Sequence, residues 1–185
     1  MSDFLPEGTQ VPSAGGNYMK LEAGENKFRA LSSAIIGWEL WVGGKPLRSK
    51  LNDFSSEQVA NADINKFTGK RRTPSYFWAF TVYNYKEEKI QILILRQVTI
   101  MRGMESFMED EDFGNPKEYD LVITQHEGEN GKAQYQVKAK PPRKLDEGIK
   151  KLYEDMEIDL TALYEGKDPF APVSKEDKVV EDIPF

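Results

Sequence analysis

Apolar and polar positions alternate along this chain in short blocks rather than in long helical repeats. The first block, residues 27–42, holds Phe28, Leu31, Ile35, Ile36, Trp38, Leu40, Trp41 and Val42 at an irregular period around Gly37. That pattern predicts one long bent strand, or two strands joined at a bulge. Gly43-Gly44 predicts a tight turn, followed by a short strand through Leu47 and Ser49. Residues 51–74 are polar and predict a long loop with a short helix near 59–67. Residues 76–85 read YFWAFTVYNY, an aromatic and β-branched run that predicts a strand. After a charged turn at 86–89, the apolar run 90–95 predicts its pairing partner. Val98, Met101, Met104, Glu105 and Met108 fall at helical spacing and predict a helix over 98–109. Two more strands follow at 119–124 and 133–138, linked by a loop with Gly128, Asn130 and Gly131. Pro141-Pro142 ends this part, and a helix over 146–155 and a turn near 160–164 complete the pattern.

Strands, a hairpin, a helix and a second hairpin predict a mainly β fold with one or two helices. An OB-like Greek-key β-barrel fits that order, and a small open sheet with one covering helix reads the same way. The chain then divides into a flexible N-terminal arm (1–17), an OB-like domain (18–142), a helical extension (143–165) and a disordered acidic C-terminal tail (166–185).

Composition narrows the chemistry. The 185 residues include no Cys and a single His, His126, so disulfides, thiolate zinc sites and multi-histidine sites are excluded. No run of about 18 apolar residues predicts a membrane span, and the first residues predict no signal peptide. The net charge of −6 is unevenly spread. Residues 1–102 carry 14 Lys and Arg against 10 Asp and Glu, while residues 103–185 carry 11 against 21. A mildly basic half joined to a strongly acidic one predicts a nucleic-acid surface in the first half.

The basic half also interleaves aromatics with cations. Trp38, Trp41, Tyr76, Trp78, Tyr83 and Tyr85 lie in or near predicted strands, with Arg29, Arg48, Lys50, Lys70, Arg71, Arg72 and Arg96 in the same stretch. Single-stranded DNA offers bases to stack and phosphates to neutralise, each stacked base contributing roughly 1–3 kcal/mol whatever its identity. Along 76–85 one face carries Tyr76, Trp78, Phe80 and Val82; the other carries Phe77, Ala79, Thr81, Tyr83 and Tyr85. The first is more apolar, so Trp78 and Phe80 lean towards the core and Tyr83 and Tyr85 towards a ligand. The competing reading is that all these aromatics simply pack a small barrel.

The C-terminus ends Glu181-Asp182-Ile183-Pro184-Phe185 with a free carboxylate. Such a tip is a plug for an apolar pocket with a basic rim: Phe185 fills the pocket, Pro184 lowers the entropy lost on ordering, and the acids meet the rim. The acidic run Glu109–Asp112 reads as a solvated helix end, Val42-Gly43-Gly44-Lys45-Pro46 lacks the features of a phosphate loop, and His126 has no nucleophile beside it. No cofactor or metal is implied, and an enzyme is disfavoured.

That ending resembles the tip of bacterial single-stranded-DNA-binding proteins, with Val180 standing where an acid is expected. Over about 17–170 the chain resembles phage single-stranded-DNA-binding proteins instead. The resemblance rests on Tyr18-Met19-Lys20-Leu21, Gly24 to Arg29, Gly37-Trp38-Glu39 with Trp41, Phe77-Trp78-Ala79 and Val82-Tyr83-Asn84-Tyr85. It continues through Ile90-Gln91-Ile92-Leu93, Tyr119-Asp120-Leu121 and Asp168-Pro169-Phe170. The resemblance implies an OB-like fold, sequence-independent binding of single-stranded DNA, and a role in phage replication, recombination or repair in the cytoplasm of a bacterial host. It also implies that Glu181 to Phe185 recruit replication, recombination or repair proteins; self-association is permitted. The alternative is a protein-binding adaptor of the replication machinery without strong DNA binding, and a third reading is a nuclease with magnesium on the acids at 109–112.

Overall fold

The computed structural model describes residues 16–171. In chain order they form β1 (Gly24–Ala30), β2 (Ile35–Val42), β3 (Lys45–Ser49), α1 (Ser56–Ala60), β4 (Ser75–Asn84), β5 (Lys89–Leu95), α2 (Val98–Met108), β6 (Asp120–Glu127), β7 (Ala133–Ala139) and α3 (Glu147–Met156). Short 3-10 turns lie at Pro116–Glu118 and Leu160–Glu165. All seven strands join one antiparallel sheet in the order β3-β2-β4-β1-β6-β7, with β5 on β4.

The first apolar block is two strands, and the break falls at 31–34 rather than at Gly37. Ala30 faces Val82 and Ile35 faces Ala79, so four residues here stand against two of β4, an enlarged bulge. The bulge keeps its backbone bonded: Leu31 N donates to the Thr81 carbonyl (2.8 Å) and Ser32 Oγ accepts from Thr81 N (2.9 Å). Gly37 serves close approach instead. A Cβ there would lie 2.5 Å from the Ser49 carbonyl oxygen.

β4 is the hub, pairing β2 and then β1 on one side and β5 on the other. After α2 the chain returns so that β6 lies on the far edge of β1. Among the described residues no pairing joins β5 to β7, so the sheet is open. Residues 17–19 border β5 instead: Met19 N donates to the Ile92 carbonyl and Ile92 N to the Asn17 carbonyl, both 2.9 Å. The last two residues of the predicted N-terminal arm, Gly16 and Asn17, are therefore hydrogen-bonded to β5; residues 1–15 lie outside the described residues.

Both faces of β4 are covered at its centre. On one, Phe80 and Val82 join Phe28, Leu93, Leu95, Ile100, Met104 and Leu121 in the main core. On the other, Phe77, Ala79 and Ile92 pack under Leu160 and Leu163, with Tyr164 and Phe170 beside them. This second cluster corrects the predicted tail boundary. Pro169 is buried, its carbonyl accepts from Asp159 N (3.0 Å), and Phe170 packs on the sheet. The apolar side chains of 160–170 find an otherwise bare sheet face there. The loop helix is corrected too. Ser55 and Gln58 form a capping box that starts α1 at Ser56, earlier than the predicted 59–67.

Candidate nucleic-acid interface

Arg48, Lys70, Arg71, Arg72 and Arg96 converge on one end of the second face. Glu39 is buried at 2% exposure in the middle of β2. A lone carboxylate there would be costly, and this one is fully engaged. It accepts from Arg48 Nε (2.8 Å), Arg96 Nε (2.7 Å), Arg96 Nη2 (3.0 Å) and Trp41 Nε1 (3.0 Å). Burial pushes the Glu39 carboxyl up, but the hydrogen bonds and charges of Arg96 and Arg48 outweigh it, leaving its pKa below the ordinary value. One buried acid thus sets two guanidinium groups and an indole in fixed positions.

Residues 61–74 build the opposite wall. Asp63 accepts from Gly43 N and Gly44 N (both 2.8 Å), and its own N donates to the Trp41 carbonyl (2.8 Å). Arg72 N returns to the Asp63 carbonyl, and Ile64 bridges Arg71. The segment is therefore a small hairpin clamped to the β2–β3 turn. It lays the Arg72 guanidinium over the Trp41 ring, 5.8 Å from its centroid. Between the walls lies a groove of about 460 Å³. Trp41, Lys70, Arg71, Arg72 and Arg96 line it, with Glu39 at its base and Asn65, Thr68, Thr73 and Ser75 as polar neighbours. Four cations face one engaged carboxylate, so the groove carries excess positive charge beside an aromatic ring.

The other candidates fall elsewhere. Trp38, Tyr76 and Trp78 lie on the main-core face: Trp38 pairs with Tyr76 across β2 and β4, ring centroids 5.5 Å apart. Tyr76 and Trp78 line an apolar cavity of about 660 Å³ with Ile36, Phe80, Met104 and Met108. Tyr83 and Tyr85 stack edge to face at 5.2 Å beyond the far end of the covered patch. Tyr85 donates to Asp120 Oδ1 (2.7 Å), and Lys27 sits 4.6 Å over its ring. Burial, then the bond to Asp120, raises the Tyr85 pKa. Lys50 is exposed, 5.6 Å over the Tyr164 ring.

Arg29 requires correction as a DNA contact. It is 1% exposed, and its Nε donates to the equally buried Asp120 at 2.7 Å. Its Nη1 donates to the Arg143 carbonyl (3.2 Å), so this guanidinium ties β1 to β6 and to the segment before α3. Arg143 itself reaches Asp120 Oδ2 at 2.8 Å. The sequence reading missed Glu39, whose position between Trp38 and Leu40 on a strand was the available signal for a buried, paired acid. It also missed Phe67 at the hairpin tip, which is 98% exposed. The tip residues Glu181, Asp182, Ile183, Pro184 and Phe185 lie outside the described residues.

The acids Glu109 to Asp112 are exposed at the end of α2. Among the described residues no three His, Cys, Asp or Glu side chains are grouped to hold a metal ion, and no helix is long and apolar enough to cross a membrane. Compared with family models, curated proteins and solved structures, the chain matches none.

Proposed function

We propose that this protein binds single-stranded DNA without sequence preference, as a non-catalytic coat in phage replication, recombination or repair. The observation that carries this reading is the groove in which Arg72 lies over Trp41 between Lys70, Arg71 and Arg96. Cations along its walls suit phosphates, an aromatic ring suits a base of any identity, and its open form suits a flexible strand rather than a rigid duplex. The topology is compatible with an OB-like fold. β6, β1, β4 and β5 lie side by side, the last of the four in the chain beside the first as in a Greek key, and α2 lies on the connection from β5 to β6. In this reading the acidic C-terminal residues, ending in Phe185, recruit partner proteins and compete with DNA for the groove.

A titration of a labelled oligo-dT with the full chain, followed by anisotropy beside an equal-length duplex, tests the proposal. Tight binding that spares the duplex and weakens several-fold in Arg72→Ala supports it. Equal affinity for single strand and duplex, or no effect of Arg72→Ala, refutes it.

The apolar cavity favours a second reading. Ile36 and Met108 on its rim are 51% and 38% exposed, as a site for an apolar side chain of a partner would be. A protein-binding adaptor would keep its partner when the groove cations are removed; a DNA coat would lose its DNA.

A further inference from the structure

The hairpin that walls the groove has an unusual tip. Phe67 stands at 98% exposure, the largest value among the exposed large hydrophobic residues. A single exposed apolar residue is ordinary on a protein surface. Here three further features give it direction.

The tip is rigidly built. The Asn65 side-chain oxygen accepts from Phe67 N (2.9 Å) and Thr68 N (3.4 Å), and the Asn65 carbonyl accepts from Gly69 N (2.8 Å). Asn65 N donates across to the Lys70 carbonyl (2.8 Å), and Gly69 supplies the positive φ of +68° that closes the turn. Arg71 Nη1 fastens the base of the hairpin by donating to the Ala62 carbonyl (2.7 Å). The backbone that carries the ring therefore has few conformations to lose when it meets a ligand. Next, Phe67 has cations on either side in sequence, Lys66 and Lys70. Last, its near neighbours Asn65, Thr68 and Lys70 line the groove itself, which places residue 67 beside the groove's edge.

We infer that Phe67 is a stacking finger that takes one unpaired nucleobase at the end of the Trp41–Arg72 groove. This deepens the single-strand reading and rests on it: phosphates lie along Lys70, Arg71, Arg72 and Arg96, one base meets Trp41, and the next unpaired base stacks on Phe67. The finger contributes affinity without contributing charge. Substituting it therefore lowers affinity and leaves the salt dependence intact, whereas substituting a groove cation changes both.

The test uses the full chain and an oligo-dT at several salt concentrations, with Phe67→Ala, Phe67→Trp and Lys70→Ala. Phe67→Ala should bind roughly 5- to 100-fold more weakly with an unchanged slope of log affinity against log salt. Phe67→Trp should bind as tightly as the parent, with a change in indole emission at saturation larger than the one that Trp41 gives the parent. Lys70→Ala should flatten the slope. Undiminished affinity in Phe67→Ala, or an emission change in Phe67→Trp no larger than the parent's, overturns the finger while leaving the groove reading standing. A parent protein that does not bind oligo-dT overturns both. Because the ring is exposed, unfolding does not confound these variants; matching melting temperatures check this.

Discussion

At the scale of single residues, two buried carboxylates position five cations: Glu39 holds Arg48 and Arg96, and Asp120 holds Lys27, Arg29 and Arg143. Asp120 holds Arg29 in a pair where both side chains are 1% exposed. Removing one partner strands the other charge, so Asp120→Ala should lose about 3–5 kcal/mol in urea unfolding. A loss below about 0.5 kcal/mol, the range of ordinary surface substitutions, would contradict the structural role given to Arg29. Glu39 makes a different prediction. Its folded pKa is depressed by Arg96 and Arg48 against the opposing effect of burial, so its contribution is complete above the ordinary value of 4.5 and fades as pH falls through the lowered one. Melting temperature should therefore drop on acidification in that window, and Glu39→Gln should start lower and vary less with pH. A variant with the parent's acid profile would assign that profile to other groups. None of this pairing was readable beforehand: sequence shows a charge within a strand, but not which cation the fold brings to it.

At the scale of elements, the strands were legible because aromatic and β-branched runs of 76–85 and 90–95 admit little else. The faces were not. Alternation gives two sets of side chains, and both sets of β4 turn out to be covered at its centre. The half of the expectation that turned Trp78 and Phe80 towards the core holds; the half that turned Tyr83 and Tyr85 towards a ligand follows from assuming one dry and one wet face. The segment 160–170 breaks that assumption by packing Leu160, Leu163 and Phe170 on Phe77 and Ile92. Phe67 was overlooked because one ring in a polar loop carries no periodic signal. Gly37 shows how an element can be right and its reason wrong: the pairing with β4 runs through it without a bulge, but β3 and Tyr164 come too close for a side chain. Gly37→Ala should lower stability by about 1–3 kcal/mol, since its Cβ would meet a backbone oxygen that cannot swing away. A thermal melt indistinguishable from the parent's would mean that the β2–β3 hairpin yields freely.

At the scale of the whole molecule, a net charge of −6 hides a basic groove, because the acids gather in the second half of the sequence. Long-range attraction between protein and DNA depends on that distribution more than on the total. Deleting residues 172–185 removes acids and leaves the packed Phe170 in place, so affinity for oligo-dT should stay equal or rise; a marked fall would place a DNA contact in the deleted residues. The most direct test of the central claim is the salt dependence of that affinity in the intact chain. Four groove cations, each neutralising one phosphate of a single strand, predict a slope of log affinity against log salt of about −3. Binding that is absent at low salt, or indifferent to salt, would contradict a phosphate-binding groove.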